Sequence, residues 1–184
     1  MKKRQAFATL MAAAILIAAC GSVPANPTPT AVLIAAPFGG FKIMSPVALS
    51  ETSKSVETSI GTLEVTTFEG KSGTLTYSVV YTDYPAKYAA VDAASFITAV
   101  RDEQVSALGG TLVAEGRTEM QGVTGREIQI SAELADGTQA IHRSRLYWLP
   151  TRLYLVSVLA PAERVNEAVV TDFLDSFQLT DRAY

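Results

Sequence analysis

One cysteine, one histidine and one tryptophan are all that this chain of 184 residues holds of three residue types rich in chemistry. With a single cysteine no internal disulfide can close, so the fold must rest on its apolar core. A metal site at His142 would need carboxylates alone as co-ligands, because no thiolate or second imidazole is at hand. A Ser-His-Asp arrangement would also have to use His142, and no G-x-S-x-G run occurs. Gly70-Lys71-Ser72 resembles the end of a phosphate loop, but Val65 stands where its first glycine belongs. The segment before it reads as a hairpin arm, so we read a turn there. Carboxylates are scattered singly apart from Asp102-Glu103. A basic surplus is missing too, with 15 Lys and Arg against 18 Asp and Glu. These absences argue against nucleic acid as a partner and against catalysis. No catalytic residue, cofactor or metal ligand is expected.

A long hydrophobic run is also absent. Met1-Lys2-Lys3-Arg4 is a charged start, and the apolar stretch Ala6 to Ala19 that follows falls short of the roughly 20 residues a bilayer-crossing helix needs. The segment is an export signal in form. Its end, Ile17-Ala18-Ala19-Cys20, resembles the lipobox of bacterial lipoproteins. The resemblance implies cleavage before Cys20 and lipid on its sulfur and new amino end. The address is then the extracytoplasmic side of the bacterial cell envelope, with the membrane held through Cys20. A single acyl chain binds membranes only marginally, whereas the implied diacylglyceryl group suffices. The plainer alternative is an ordinary secretory signal with an incidental cysteine. Removal of residues 1–19 takes away three of the 15 basic residues and no acidic one, leaving 12 against 18, a net −6.

Three stretches follow from composition: a signal over 1–19, a lipidated cysteine and Pro-rich tether over 20–40, and one domain over 41–180. Pro24, Pro27, Pro29 and Pro37 mark the tether as extended. Ala31-Val32-Leu33-Ile34 interrupts it and reads as an edge segment packed on the domain, with a second membrane contact as the alternative. Within the body, strands are expected over Phe41–Val47, Leu63–Phe68, Thr74–Tyr81, Thr111–Arg117, Arg126–Leu134, Thr138–Leu149 and Arg152–Ala160. Leu63–Phe68 and Thr74–Tyr81 form a hairpin around residues 69–73. Helices are expected over Asp92–Leu108 and Ala162–Phe177. Asp92 is the first helix's N-cap and Gly109-Gly110 its stop. Gln104 falls inside its apolar stripe, so it should lie at a seam and need a hydrogen-bond partner.

The turn at Asp136-Gly137 fixes a register. A two-residue turn would set Arg143 and Arg145 against Ile130 and Ile128. A three-residue loop, Ala135-Asp136-Gly137, places Gly137 at the left-handed position of a bulged turn and moves every facing by one residue. Glu127 then meets Arg145, and Gln129 meets Arg143. Ile128, Ile130 and Ala132 meet Ser144, His142 and Ala140. The second arrangement keeps charge off the apolar face, so it is the expected one. It makes His142 a core histidine with one satisfied nitrogen.

Two clusters remain as an interaction surface. Tyr84 and Tyr88 approach the first helix, and tyrosine offers apolar area with a polar tip. Arg143, Arg145, Tyr147 and Arg152 lie on the outer hairpin face, which is either solvated or covered by a helix.

Several segments in order resemble the PsbP-like domain, shared with a eukaryotic Ran-binding Mog-type protein and many bacterial lipoproteins. They are Phe41-Lys42-Ile43-Met44-Ser45-Pro46, Tyr77-Ser78-Val79-Val80-Tyr81-Thr82-Asp83-Tyr84-Pro85, Gly122-Val123-Thr124-Gly125-Arg126-Glu127, Arg145-Leu146-Tyr147 with Arg152-Leu153-Tyr154-Leu155, and Phe173-Leu174-Asp175-Ser176-Phe177-Gln178-Leu179. Ala48-Leu49-Ser50 stands where the family usually carries a Trp. The resemblance implies an α+β fold, an α/β/α sandwich with a mostly antiparallel sheet of six to seven strands and helices on both faces. It also implies a non-enzymatic accessory or scaffold module docked on a larger assembly. The expected role is a lipid-anchored envelope protein, monomeric, presenting a protein-interaction surface to a partner. A carrier of lipid or another apolar ligand is the second reading, and an envelope hydrolase the third.

Overall fold

The computed structural model describes residues 31–58 and 60–180. The expected signal and lipobox, Ile17, Ala18, Ala19 and Cys20 included, lie outside the described residues. The strands are β1 (Val32–Ala36), β2 (Phe41–Ser45), β3 (Ser50–Thr58), β4 (Gly61–Ser72), β5 (Leu75–Asp83), β6 (Thr111–Met120), β7 (Val123–Glu133), β8 (Gln139–Trp148), β9 (Arg152–Pro161) and β10 (Gln178–Leu179). Two α-helices, α1 (Ala93–Ala107) and α2 (Glu167–Asp175), interrupt them. A seven-stranded sheet runs in the order β3-β4-β5-β9-β8-β7-β6, and a small one in the order β1-β2-β10. Every ladder in both is antiparallel.

Turn chemistry sets the registers. Gly137 has φ 82°, and the β7–β8 ladder pairs Glu127 with Arg145, Gln129 with Arg143 and Ile130 with His142, the bulged arrangement expected from sequence. The β4–β5 loop is tighter than expected. Ser72 pairs with Leu75, so both strands run on to a two-residue loop headed by Gly73 at φ 59°. Glycine at that first position is what a type II′ hairpin turn demands. Gln121 and Gly122 likewise both have positive φ and join β6 to β7 in two residues, extending both strands inward over a stretch read as loop. Gln121 then uses its side chain as a strand would: Nε2 donates to the Leu179 carbonyl, and Oε1 accepts from the Leu179 amide.

Three boundaries differ from expectation. Among the described residues the first strand begins at Val32 and not Phe41, because β1 pairs residue for residue with β2 from Val32–Ser45 to Ala36–Phe41. The edge-segment reading of residues 31–34 therefore fits. Strand β3 has no counterpart in the sequence reading. The second helix begins at Glu167 because the Asn166 side chain accepts from the Ala168 and Val169 amides, while Val165 stays extended. By contrast, α1 is capped as expected: the Asp92 carboxylate accepts from the Ser95 amide, and Gly109 follows at φ 56°.

Two apolar clusters hold these elements. One gathers Phe41, Ile43, Phe68, Tyr77, Tyr147, Tyr154 and Val156 with Phe173, Leu174 and Phe177 at α2. The other gathers Ile97 of α1 with Ile128, Ile130, Leu146, Trp148 and Leu153. Successive residues of a strand point to opposite sides, so Leu146 and Tyr147 divide between the two.

Candidate functional site

Of the residues expected to form an interaction surface, Tyr147 is buried and the other five are partly exposed, with the three arginines engaged in ion pairs. Tyr84 follows β5, and its amide donates to the Thr151 carbonyl at 2.6 Å, which fixes it beside the β8–β9 turn. Its half-buried ring meets Phe96 and Trp148 edge-on, with centroids 5.1 and 5.3 Å away, and Tyr88 at 6.2 Å. Burial raises the Tyr84 hydroxyl above its ordinary pKa. Phe96 and Trp148 lie 4.1 Å apart between centroids. Tyr88 caps the group, half-buried, with the Lys87 ammonium 5.3 Å from its ring centroid. The result is a four-ring patch at the N-terminal end of α1. Sequence spacing indicated Tyr84 and Tyr88, but Phe96 read as core and Trp148 as strand.

Arg143, Arg145 and Tyr147 do not form a free surface. Tyr147 is 1% exposed and stacks on Phe177 at 5.9 Å. Arg143 pairs with Glu127 and Glu167, and Arg145 with Glu127 at 2.8 Å and Asp175 at 2.6 Å. Glu167 and Asp175 are the first and last residues of α2, so each arginine fastens one end of the helix to the sheet. Of the two options for this face, helix cover is the one realised. Burial works to raise the Glu127 carboxyl, but the hydrogen bonds from Arg143 and Arg145 outweigh it and hold the pKa below the usual value.

Arg152 is a clamp. Its Nε and Nη2 bond both oxygens of Asp83 at 2.5 and 2.6 Å, while Nη1 donates to the Phe38 and Gly39 carbonyls at 3.2 and 3.1 Å. The guanidinium lies 4.7 Å from the Tyr81 ring centroid, and the Tyr154 hydroxyl donates to the Gly39 carbonyl at 2.7 Å. Hydrogen bonds to Asp83 raise the already high Arg152 pKa further. A Cβ on Gly39 would stand 2.8 Å from the Phe41 ring and 3.0 Å from Tyr81, so no larger residue fits this turn as it is.

Groups with chemical potential lie under α1. His142 is buried opposite Ile130, as expected, but its Nδ1 has no hydrogen-bond partner among the described residues. Burial lowers its pKa to about 4, so the ring is neutral at pH 7. Ser144 donates to Gln104 Oε1 at 3.2 Å, giving Gln104 the seam and partner expected of it, though its buried Nε2 finds none among the described residues. Ser157, paired with Ser144 across the ladder, is 2.8 Å from the Ser78 hydroxyl. Among the described residues, no three His, Cys, Asp or Glu gather as a metal site. An open groove of about 750 Å³ runs along β3 and β4, lined by Ser50, Thr52, Lys54, Thr67, Glu69 and Lys71 among others.

No family model matches this chain, and no curated protein matches it. Among solved structures it is similar to cyanobacterial PsbP (CyanoP) from Synechocystis sp. PCC 6803, at 11% identity and a TM-score of 0.57, over 87% of this chain and 98% of that one. A Pseudomonas aeruginosa protein of unknown function, PA94, aligns with TM-score 0.41 at 11% identity, over 60% of this chain and 84% of that one. The likeness to CyanoP is one of fold: a mostly antiparallel sheet with two helices, PsbP-like.

Proposed function

We propose that this protein is a lipid-anchored, non-catalytic accessory module of the bacterial cell envelope that docks a protein partner. The fold under this reading is an α/β/α sandwich, with α1 over one face of the large sheet and α2 over the other. The division of Leu146 and Tyr147 between two apolar clusters supports it. The anchor is the lipobox-like run ending at Cys20, and kinship with the Ran-binding Mog-type relatives belongs to the same proposal. The observation that carries docking is the partly exposed aromatic patch of Tyr84 and Tyr88, backed by Phe96 and Trp148. Aromatic side chains with one edge wet are the residues interfaces reuse as anchors. The groove along β3 and β4 is open and mixes Ser and Thr hydroxyls and the charges of Lys54, Glu69 and Lys71 with Ala48, Val56 and Val65, whereas a carrier of apolar ligands needs an enclosed apolar cavity.

The test is photo-cross-linking in native membranes with a reactive phenylalanine analogue at Tyr88 and, separately, at exposed Val113 on β6. Docking requires a discrete adduct from position 88 that is absent from position 113. Identical adduct patterns at the two positions would refute it.

A further inference from the structure

We propose that the outer face of the β1–β2 hairpin, with the Phe38 ring at its turn, is a second seat on the lipid bilayer. The proposal rests on the anchoring of Cys20. Directly opposed residues of an antiparallel pair share a face. The pairs Leu33–Met44 and Ala35–Lys42 therefore point one way, and the pair Ile34–Ile43 the other. Ile43 is fully buried, whereas Leu33 is 59% and Met44 40% exposed. Phe38 is 92% exposed, an unusual state for so large an apolar ring.

That ring is displayed by a pinned turn. Arg152 holds the Phe38 and Gly39 carbonyls, Tyr154 holds Gly39 a second time, and the Gly40 amide donates to the Pro37 carbonyl at 3.2 Å. Backbone fixed on three sides with the side chain left in water is the arrangement of a residue meant to meet something apolar.

Position and charge name the occupant. The chain enters the fold at β1, and Cys20 lies eleven residues before Ala31, a span of at most about 40 Å when fully extended. Whatever the domain's orientation, the hairpin is its first element out from the anchor. From Cys20 to Ser50 the sole charged residue is Lys42, in a chain whose mature form is otherwise rich in carboxylates. Lys42 sits on the exposed face, beside Ala35 in register. An apolar strand face whose own single charge is Lys42, with the turn's Asp83 carboxylate neutralised by Arg152, suits the boundary between headgroups and acyl chains.

The experiment uses the full lipidated chain in vesicles of phosphatidylcholine and phosphatidylglycerol, with and without a nitroxide-bearing acyl lipid. Leu33→Cys, Phe38→Cys and the control Val113→Cys each carry an environment-sensitive fluorophore, the Cys20 sulfur being occupied by its lipid. The expected result is blue-shifted, nitroxide-quenched emission at 33 and 38, loss of both effects at 113, and weaker quenching at 33 when Lys42→Glu is added. Amide exchange in the unlabelled lipidated chain should slow over residues 32–45 on vesicles, a readout independent of the substitutions. Solvent-like emission at 33 and 38 from chain that floats with the vesicles overturns the second seat and leaves the anchor standing. Chain that fails to float overturns the anchor and the seat together. A blue shift without lipid that grows with protein concentration assigns the face to a second copy instead. A shift that appears only with native membrane proteins, unquenched by nitroxide lipid, assigns it to a protein partner.

Discussion

Under α2 the sheet offers interlocked rings and paired charges, whereas under α1 it offers a seam whose polar groups stay partly unpaired. Phe173 meets Tyr77 edge-on at 5.1 Å, Phe177 stacks on Tyr147, and Arg143 and Arg145 hold the two ends of the helix. Ser176, just past α2, donates to the Met44 carbonyl and accepts from the Met44 amide, tying the helix to β2 as well. Helix α1 is seated by Phe96 and Ile97 on Trp148 and the isoleucines of β7, with partly buried Val100 and Val105 packed farther along. Farther along it, Gln104 Nε2 and His142 Nδ1 are buried without partners among the described residues. Buried polar atoms left unpaired cost free energy that apolar groups of the same shape would not. Helix α2 is therefore the structural member, and α1 the element built with slack.

The contrast can be broken from its strong side first. Phe173→Ala, deleting a ring 2% exposed, should cost about 3–5 kcal/mol in urea unfolding. A loss below about 1 kcal/mol would mean that the α2 cluster is not the core.

Next comes pH. His142 binds a proton near 6.5 when unfolded and near 4 when folded, so below pH 6.5 the unfolded state takes up more protons and stability falls. The loss should approach 2 kcal/mol by pH 5 and about 3 kcal/mol near pH 4, with a plateau below. The Glu127 contribution has the same direction but is lost only as pH drops through the carboxylate range, so the window from 6.5 to 5 isolates the histidine. His142→Leu should flatten the urea midpoint across that window, and an unchanged slope would remove His142 from the account.

Glu127→Ala leaves two partly buried arginines with fewer acceptors and should cost about 2 kcal/mol. Amide exchange should then speed up in α2 before α1. The smallest effect has the opposite sign. Gln104→Leu with Ser144→Ala removes the orphaned amide and its partner together, and should be neutral or stabilise by up to about 1 kcal/mol. A clear loss would show that the seam is satisfied in solution and the slack is not real.

Local chemistry made part of this legible in the sequence. Asp92 and Gly109 bound α1 because caps act within one turn, and Gly137 with the Glu127–Arg145 pairing decided a register because a one-residue slip flips every facing. Strand β3 was illegible for an equally physical reason. Ser50–Thr58 is exposed on both faces as an edge strand, so no alternation of apolar residues marks it. The candidate surface split along the same line. Tyr84 and Tyr88 lie near each other in sequence, and the structure keeps them together. Whether Arg143 and Arg145 meet water depended on a helix more than twenty residues later, and no local pattern encodes that cover.

The Arg152 clamp has a mechanical consequence. Tension applied from the N-terminal side reaches β1 at Val32, the end of the hairpin remote from the clamp. Among the described residues β1 is bonded on one side only, so such a load would peel its pairs in order from Val32–Ser45 toward Ala36–Phe41. It would then stall where Asp83, Arg152 and Tyr154 grip the turn. The hairpin becomes a strain-relief loop that yields a short length of chain before force reaches the large sheet. In a pulling trace this would read as a small early extension, and Arg152→Ala would erase the pause that ends it.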